Sequence, residues 1–307
     1  MRIYISPILN FKIDENAKMF NIYDPKDIES LFSPNFLHSA GSLEISRIMN
    51  HKVWLVLVEE NSESSISQIN EHFNNILCLS YWLIKDCACS SPIAFLFDEN
   101  GTRNDLRDSF YSNSSGKFTS TKFTINELNT AESKFDILTS FLSSGRKESD
   151  VSESGNVLGS ANLVHYNDFH AINRAVNFIT FARSTSFITQ KIAWYVVFFE
   201  SLFGISETES INFKMSYRVA HFLDLPLDDR LGIFDKIKLA YSIRSSFIHG
   251  SKLQKKHSQI EFQETISNFL DDLARKIINE IIHNEDRRKL ILDPDMLREF
   301  FHKKFLE

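Results

Sequence analysis

Residues 185–203 constrain the fold of this chain more than any other stretch, because Ile188, Ile192, Trp194, Val196, Phe198 and Phe199 place apolar side chains nearly all round one helix. A helix apolar on every side has to be enclosed by other elements, so it belongs at the centre of a bundle. Its neighbours supply the enclosure. Residues 170–181 present Ile172, Val176, Ile179 and Phe181 on one broad side. Residues 258–283 repeat Ile260, Phe262, Ile266, Phe269, Leu270, Leu273, Ile277 and Ile281 at helical spacing. A further helix is expected over residues 209–223, stopped before Pro226, since the residue preceding a proline disfavours helical geometry. A helix over 231–248 would end by Gly250, which suits the left-handed turn that closes helices. Residues 161–307 are therefore expected to form a five-helix bundle with a C-terminal helical extension.

Residues 1–142 show a different pattern. The run 52–58 (KVWLVLV) and the run 92–97 (PIAFLF) have the apolar, β-branched character of buried strands. Between them, residues 65–86 carry Ile69, Phe73, Ile76, Leu77, Leu83 and Ile84 at helical spacing, and residues 124–142 do the same with Leu128, Phe135, Leu138 and Phe141. This predicts an α+β domain with helices packed on a sheet, followed by the all-α bundle. Residues 143–160, rich in Ser, Gly and charge, have too little apolar content to order themselves by burial and are expected to be a linker or mobile loop. A polar patch at 113–120 suits a surface loop within the first domain.

Composition excludes several classes of function. A chain of 307 residues that is 43% hydrophobic has ample material for two packed cores, and most of its 28 Phe belong there. The formal net charge of −6 argues against a protein that coats nucleic acid by long-range attraction. Locally the balance reverses, since residues 231–260 hold Lys236, Lys238, Arg244, Lys252, Lys255 and Lys256 against Asp235 alone. Cys78, Cys87 and Cys89 lack the second Cys or His pair of a zinc site and are odd in number, so they are expected to be reduced thiols with no metal or cofactor. The chain opens without the apolar core of a signal peptide, and no run approaches the roughly 20 apolar residues of a membrane span, so a cytoplasmic setting is expected.

The chemistry concentrates in residues 241–250 (YSIRSSFIHG), where Arg244 precedes His249 by five positions. A permanent cation and a group that titrates near neutral pH are the side chains needed to handle a phosphodiester without metal. Residues five apart on a straight helix lie about 140° apart around its axis, so the pair shares a face only if the helix ends between them. The negative end of the helix dipole suits a cationic His249 as a donor to phosphate oxygen. The basic rim of Lys252, Lys255 and Lys256 is where an RNA strand would be drawn. Glu200 and Arg218 are unsuited to lone burial, so either they pair with each other or Glu200 orients Arg244. His165 and His170 have no spacing that a common metal site requires.

Residues 191–252 resemble the Apea-like branch of the HEPN superfamily of helical domains. The likeness rests on Phe199-Glu200-Ser201-Leu202, on Ser216-Tyr217-Arg218-Val219-Ala220, and on the Arg-x4-His pair followed by Gly250. It covers roughly the last 140 residues and implies a metal-independent endoribonuclease of the toxin-like or phage-defence kind. His249 would act as acid or base and Arg244 would hold the phosphoryl oxygens. The expected products are a 2′,3′-cyclic phosphate and a 5′-hydroxyl, with DNA spared for want of a 2′-hydroxyl. The resemblance also implies a homodimer whose two Arg-x4-His pairs line one cleft, and an antitoxin or phage-derived trigger as partner. Many catalytic members carry Asn, Asp or His directly after the Arg, whereas here that position is Ser245, which still donates and accepts a hydrogen bond. The alternative implied by the family is a non-catalytic module that binds RNA or protein and dimerises. The N-terminal domain would then sense a trigger or restrain the bundle.

Overall fold

The computed structural model of the chain describes residues 2–13, 22–23, 46, 54–59, 66–98, 101–106, 110–144, 169–204 and 210–306. It divides into two compact units, residues 1–135 and 136–307.

The first unit is built on an antiparallel sheet of strands β1 (Arg2–Pro7), β3 (Ile22–Tyr23), β4 (Trp54–Glu59), β5 (Ile93–Asp98) and β6 (Gly101–Leu106), in the order β3-β4-β1-β5-β6. β1 sits at the centre, pairing Ile3 with Val58 of β4 and with Phe97 of β5. Tyr4 and Ile5 are fully buried there. The sequence reading assigned β1 no role. Its six residues hold only the short apolar run Ile3, Tyr4 and Ile5, and pairing on both edges makes it a core strand. β5 and β6 form a hairpin closed by the pair Asp98 and Gly101. Two short strands, β2 (Phe11–Ile13) and β7 (Thr121–Phe123), pair in parallel, with Phe11 stacked on Phe123 at 5.0 Å.

The expected helix over 65–86 is present as α1 (Ile66–Glu71) and α2 (Cys78–Ile84), joined by a wider π-helical turn, His72–Leu77. That turn carries Asn74 and Asn75, whose side-chain oxygens accept hydrogen bonds from the Ser91 backbone N–H at 2.9 Å and the Tyr111 hydroxyl at 3.0 Å. These two bonds tie the helical layer to the loops beyond it. The three cysteines are buried.

Helix α3 (Ile125–Ser144) begins with a reciprocal cap. The Thr124 hydroxyl accepts from the Glu127 N–H at 3.3 Å, and the Glu127 carboxylate accepts from the Thr124 N–H at 2.9 Å. The helix spans the divide between the units and runs through Ser144, so the first two residues of the expected linker belong to it. Residues 145–160 of that linker lie outside the described residues, as do Lys52, Val53, Ser65, His165 and Glu209.

The second unit is all helical: α4 (Ala171–Ser184), α5 (Ile188–Phe203), α6 (Ile211–Phe222), α7 (Leu227–Ile248), α8 (Ile260–His283), α9 (Glu285–Leu292) and α10 (Pro294–Leu306). α5 packs against α4, α6, α7 and α8, which is the central place its apolar circumference requires. Ile192, Tyr195, Val196, Phe198, Phe199 and Phe203 are fully buried. Burial of each such large apolar side chain is worth about 1.5–3 kcal/mol. One stripe of α5 stays accessible, Gln190, Trp194, Val197 and Ser201, at the 4-3-4 spacing of a single helix face. α5 starts at Ile188 rather than at residue 185. The Thr185 hydroxyl there accepts from the Phe187 N–H at 3.2 Å, a local bond that holds the backbone out of the helix. α7 starts four residues earlier than its apolar pattern suggests. Pro226 with Asp228 and Asp229 forms a strong helix start that an apolar count does not register.

Two polar side chains on α5 reach partners inside the bundle. The buried Lys191 donates to the Ala182 carbonyl at 2.6 Å, and the Tyr195 hydroxyl donates to Asp271 at 2.6 Å, with Arg275 donating to the same carboxyl group at 2.9 Å. The expected extension is α9 and α10. Asn284 caps α9 by accepting from the Asp286 and Arg287 N–H groups. α10 is fastened back by Phe301 against Phe203 and by Phe305 against Tyr217. Lys304 adds an ion pair to Asp224 at 3.3 Å. The N-terminal region is thus mixed α/β with an antiparallel sheet, and the C-terminal region is a set of packed helices, as the patterning predicts. No helix among the described residues is long and apolar enough to cross a membrane.

Candidate functional site

α7 buries Ile233, Ile237, Ala240 and Ile243 against the bundle, which fixes its rotation and sets Arg244 on the flank facing α5. There the Arg244 Nη2 donates to Glu200 Oε2 at 3.2 Å, with both side chains about three-quarters buried (24% and 23% exposed). The Tyr241 ring lies 5.7 Å from the guanidinium, close enough for a cation–π attraction. The Arg244 Nε is buried and has no hydrogen-bond partner among the described residues. Glu200 settles one of the alternatives left open by the sequence, since it pairs with Arg244 and not with Arg218. Arg218 is buried and donates to the Phe203 carbonyl at 3.0 Å. Burial raises the Glu200 carboxyl above its ordinary pKa, and the opposing pull of Arg244 does not cancel it.

The helix does not end between Arg244 and His249. It runs unbroken to Ile248 and closes in a Schellman turn, with Ser251 N–H donating to the Ser246 carbonyl at 2.8 Å and Gly250 N–H to the Phe247 carbonyl at 3.3 Å. Gly250 takes the left-handed conformation, φ 66°, that this turn requires. His249 is the cap residue, held through its own N–H to the Ser245 carbonyl at 3.0 Å. Its imidazole is exposed and makes no hydrogen bond among the described residues. Arg244 is therefore committed to α5 while His249 faces solvent, and no hydrogen bond or ion pair links the two within one chain. Ser245 is half-buried on the turn between them.

Lys252, Lys255 and Lys256 are all exposed on the connection that follows. Lys256 lies 5.6 Å from the Phe262 ring, and His257 stacks on the same ring at 5.3 Å. Gln263 anchors the connection by donating to the His257 carbonyl at 2.9 Å, while its own oxygen accepts from the Thr189 hydroxyl at 2.8 Å. The start of α5, the end of α7 and the start of α8 thereby meet at one end of the bundle. Phe187 lies at this end too, edge-on to Phe247 at 5.9 Å. Sequence reading passed over Phe187, because a helix expected from residue 185 made it one more apolar side chain of that helix, whereas the helix starts at Ile188.

Other features offer less chemistry. Among the described residues no group of three or more His, Cys, Asp or Glu is placed to hold a metal ion. His170 precedes α4 as its cap residue and is exposed. An open cavity of about 290 Å³ in the first unit is lined by Pro7, Ile93, Phe95, Phe110 and other apolar residues. It offers no side-chain group that could orient a polar substrate. Comparison of the chain with protein-family models, with curated proteins and with solved structures returned no match.

Proposed function

We propose that the helical unit is an Apea-like HEPN domain and that the protein cleaves single-stranded RNA without a metal, in a toxin-like or phage-defence role. The observation that supports this most is the exposed, unpartnered imidazole of His249, fixed on a rigid helix end beside the three exposed lysines. A general acid or base has to reach the proton it moves while its backbone stays still, and this arrangement satisfies both needs.

In the proposed reaction the ribose 2′-hydroxyl gives its proton to a neutral His249 as its oxygen bonds to phosphorus. The bond from phosphorus to the 5′-oxygen breaks, and that oxygen takes a proton from an imidazolium. A 2′,3′-cyclic phosphate and a 5′-hydroxyl result, with no water consumed. The attacking and leaving oxygens lie on opposite sides of phosphorus in an in-line displacement, so the two roles fall to two imidazoles, and a homodimer supplies two copies of His249. Arg244 neutralises the phosphoryl oxygens once its bond to Glu200 is exchanged for one to phosphate, and its unpartnered Nε supplies a second donor. Ser245 contributes a hydroxyl next to the guanidinium. Glu200 positions Arg244 in the resting state. The N-terminal unit is assigned a sensing or restraining role, with an antitoxin or phage-derived trigger as its partner.

The Glu200–Arg244 pair and the unbroken helix also support a second reading, a HEPN module that binds RNA without cleaving it. The experiment that separates the two is incubation of one sequence as RNA and as DNA in EDTA with the parent protein, Arg244→Ala and His249→Ala. Cleavage of RNA only, lost in both variants, supports the nuclease. Retained RNA affinity with intact RNA supports the module.

A further inference from the structure

We propose that Phe187 is a base-stacking platform for single-stranded RNA at the His249 end of the bundle, an inference that rests on the RNA reading above but not on catalysis. Phe187 caps the start of α5 with 57% of its surface exposed. It is not loosely held. Its edge-to-face contact with Phe247, at 5.9 Å and 70°, ties it to a residue two positions before His249. The Thr189–Gln263–His257 bonds hold the same end of α5 against the lysine-bearing connection. Ile248, 56% exposed, is a further accessible apolar side chain on the last turn of α7.

Charge decides what covers this surface. No Asp or Glu occurs between Lys236 and Ile260, and Lys252, Lys255 and Lys256 all stand exposed on the connection that follows His249, against the single exposed Glu261 that opens α8. A second copy docked here about a two-fold axis would bring two such lysine sets together, and lysine is depleted at the cores of protein interfaces. A nucleic-acid strand satisfies both features at once, phosphates meeting the lysines and a base meeting the ring. The base has to be unstacked to present its face, so the ligand is single-stranded. Stacking on an aromatic tolerates every base, so this platform selects for strandedness and not for sequence.

The test uses the full-length protein with oligoadenylate RNA, the same RNA annealed to its complement, and polyphosphate, which carries the charge without bases. Phe187→Ala is expected to weaken oligoadenylate binding about tenfold and to leave polyphosphate binding unchanged. Phe187→Trp is expected to retain affinity and to show fluorescence quenched by oligoadenylate but not by polyphosphate. Replacing Lys252, Lys255 and Lys256 together by Gln is expected to weaken both ligands and to flatten the salt dependence. Equal oligoadenylate affinity in Phe187→Ala and parent overturns the proposal, as does equal preference for duplex and single strand. A parent that binds no RNA overturns it too. A Phe187→Ala protein that sediments as a monomer where the parent is a dimer, with RNA affinity intact, assigns the surface to protein contact instead. Phe187-dependent binding without cleavage leaves this proposal standing while the nuclease reading falls, and cleavage indifferent to Phe187 does the reverse.

Discussion

Replacing Arg244 by alanine removes the cation that Glu200 faces between α5 and α7, and the size of the loss follows from the geometry. Glu200 is about three-quarters buried, and its carboxyl is already raised by burial with Arg244 in place. Without Arg244 the folded protein holds either an unpaired carboxylate or a neutral acid. Protonation sets the ceiling: from an ordinary pKa of 4.5, carrying the proton at pH 7 costs about 3.4 kcal/mol. The floor is the worth of a partly exposed pair, about 1 kcal/mol, with the Tyr241 contact and the packing of the arginine stem adding to it. The expected loss at pH 7 is therefore about 1–3 kcal/mol. A raised carboxyl pKa means the folded state binds the proton more tightly than the unfolded state. Stability then falls as pH rises past the unfolded value and levels off above the folded one. The ionic part of the deficit should accordingly shrink below about 1 kcal/mol at pH 5. Urea denaturation of the helical unit, followed by far-UV circular dichroism at pH 5 and pH 7, measures both quantities. Glu200→Gln in the Arg244→Ala background should restore most of the loss at pH 7. An equal deficit at both pH values, with no rescue by Gln, would refute this account of the pair.

Two glycines near the site separate strain from clash. At Gly250 a Cβ meets nothing within 4 Å, so Gly250→Ala costs only the left-handed backbone, about 1–2 kcal/mol in urea denaturation, and Gly250→Asn less. At Gly204 a Cβ would lie 2.3 Å from the Glu200 carbonyl oxygen, so Gly204→Ala should be the more damaging of the two. At the other end of the bundle, burial pushes the Asp224 carboxyl up, but Arg287 and Lys304 outweigh it and hold it below its ordinary range. Its stabilising contribution is present at neutral pH and lost as pH falls through the folded pKa. Asp224 is about half exposed, so Asp224→Asn should cost only about 0.5–1 kcal/mol at pH 7, with faster amide exchange in α10 as the more sensitive readout.

The helical unit was largely legible in the sequence because its signals are local. The continuous apolar circumference of α5, the stripe on α8 and the glycine that closes α7 each state their own geometry. β1 was not legible: a three-residue apolar run becomes a core strand only through Val58 and Phe97, which lie far along the chain. The cap at Thr124 and Glu127 was present in the sequence as a T-x-x-E spacing, yet an apolar count passes over it. At the site, Arg244, His249 and the lysines were identifiable from residue type. Their arrangement was not, because it depends on which face of α7 the bundle buries. That rotation sends Arg244 to Glu200 and leaves His249 in solvent. Phe187 was missed for a related reason, since its exposure becomes visible only once Phe247 is placed beside it.

The central claim is that His249 moves a proton in RNA cleavage by the 2′-hydroxyl. The most direct test identifies the ends left when the purified protein acts on a short single-stranded RNA in EDTA, beside the same RNA carrying 2′-deoxyribose at the cleaved position. The account predicts 2′,3′-cyclic phosphate and 5′-hydroxyl ends, no cleavage at the deoxy position, and no product from His249→Ala. Products ending in 3′-hydroxyl and 5′-phosphate, or cleavage undiminished in His249→Ala, would contradict it.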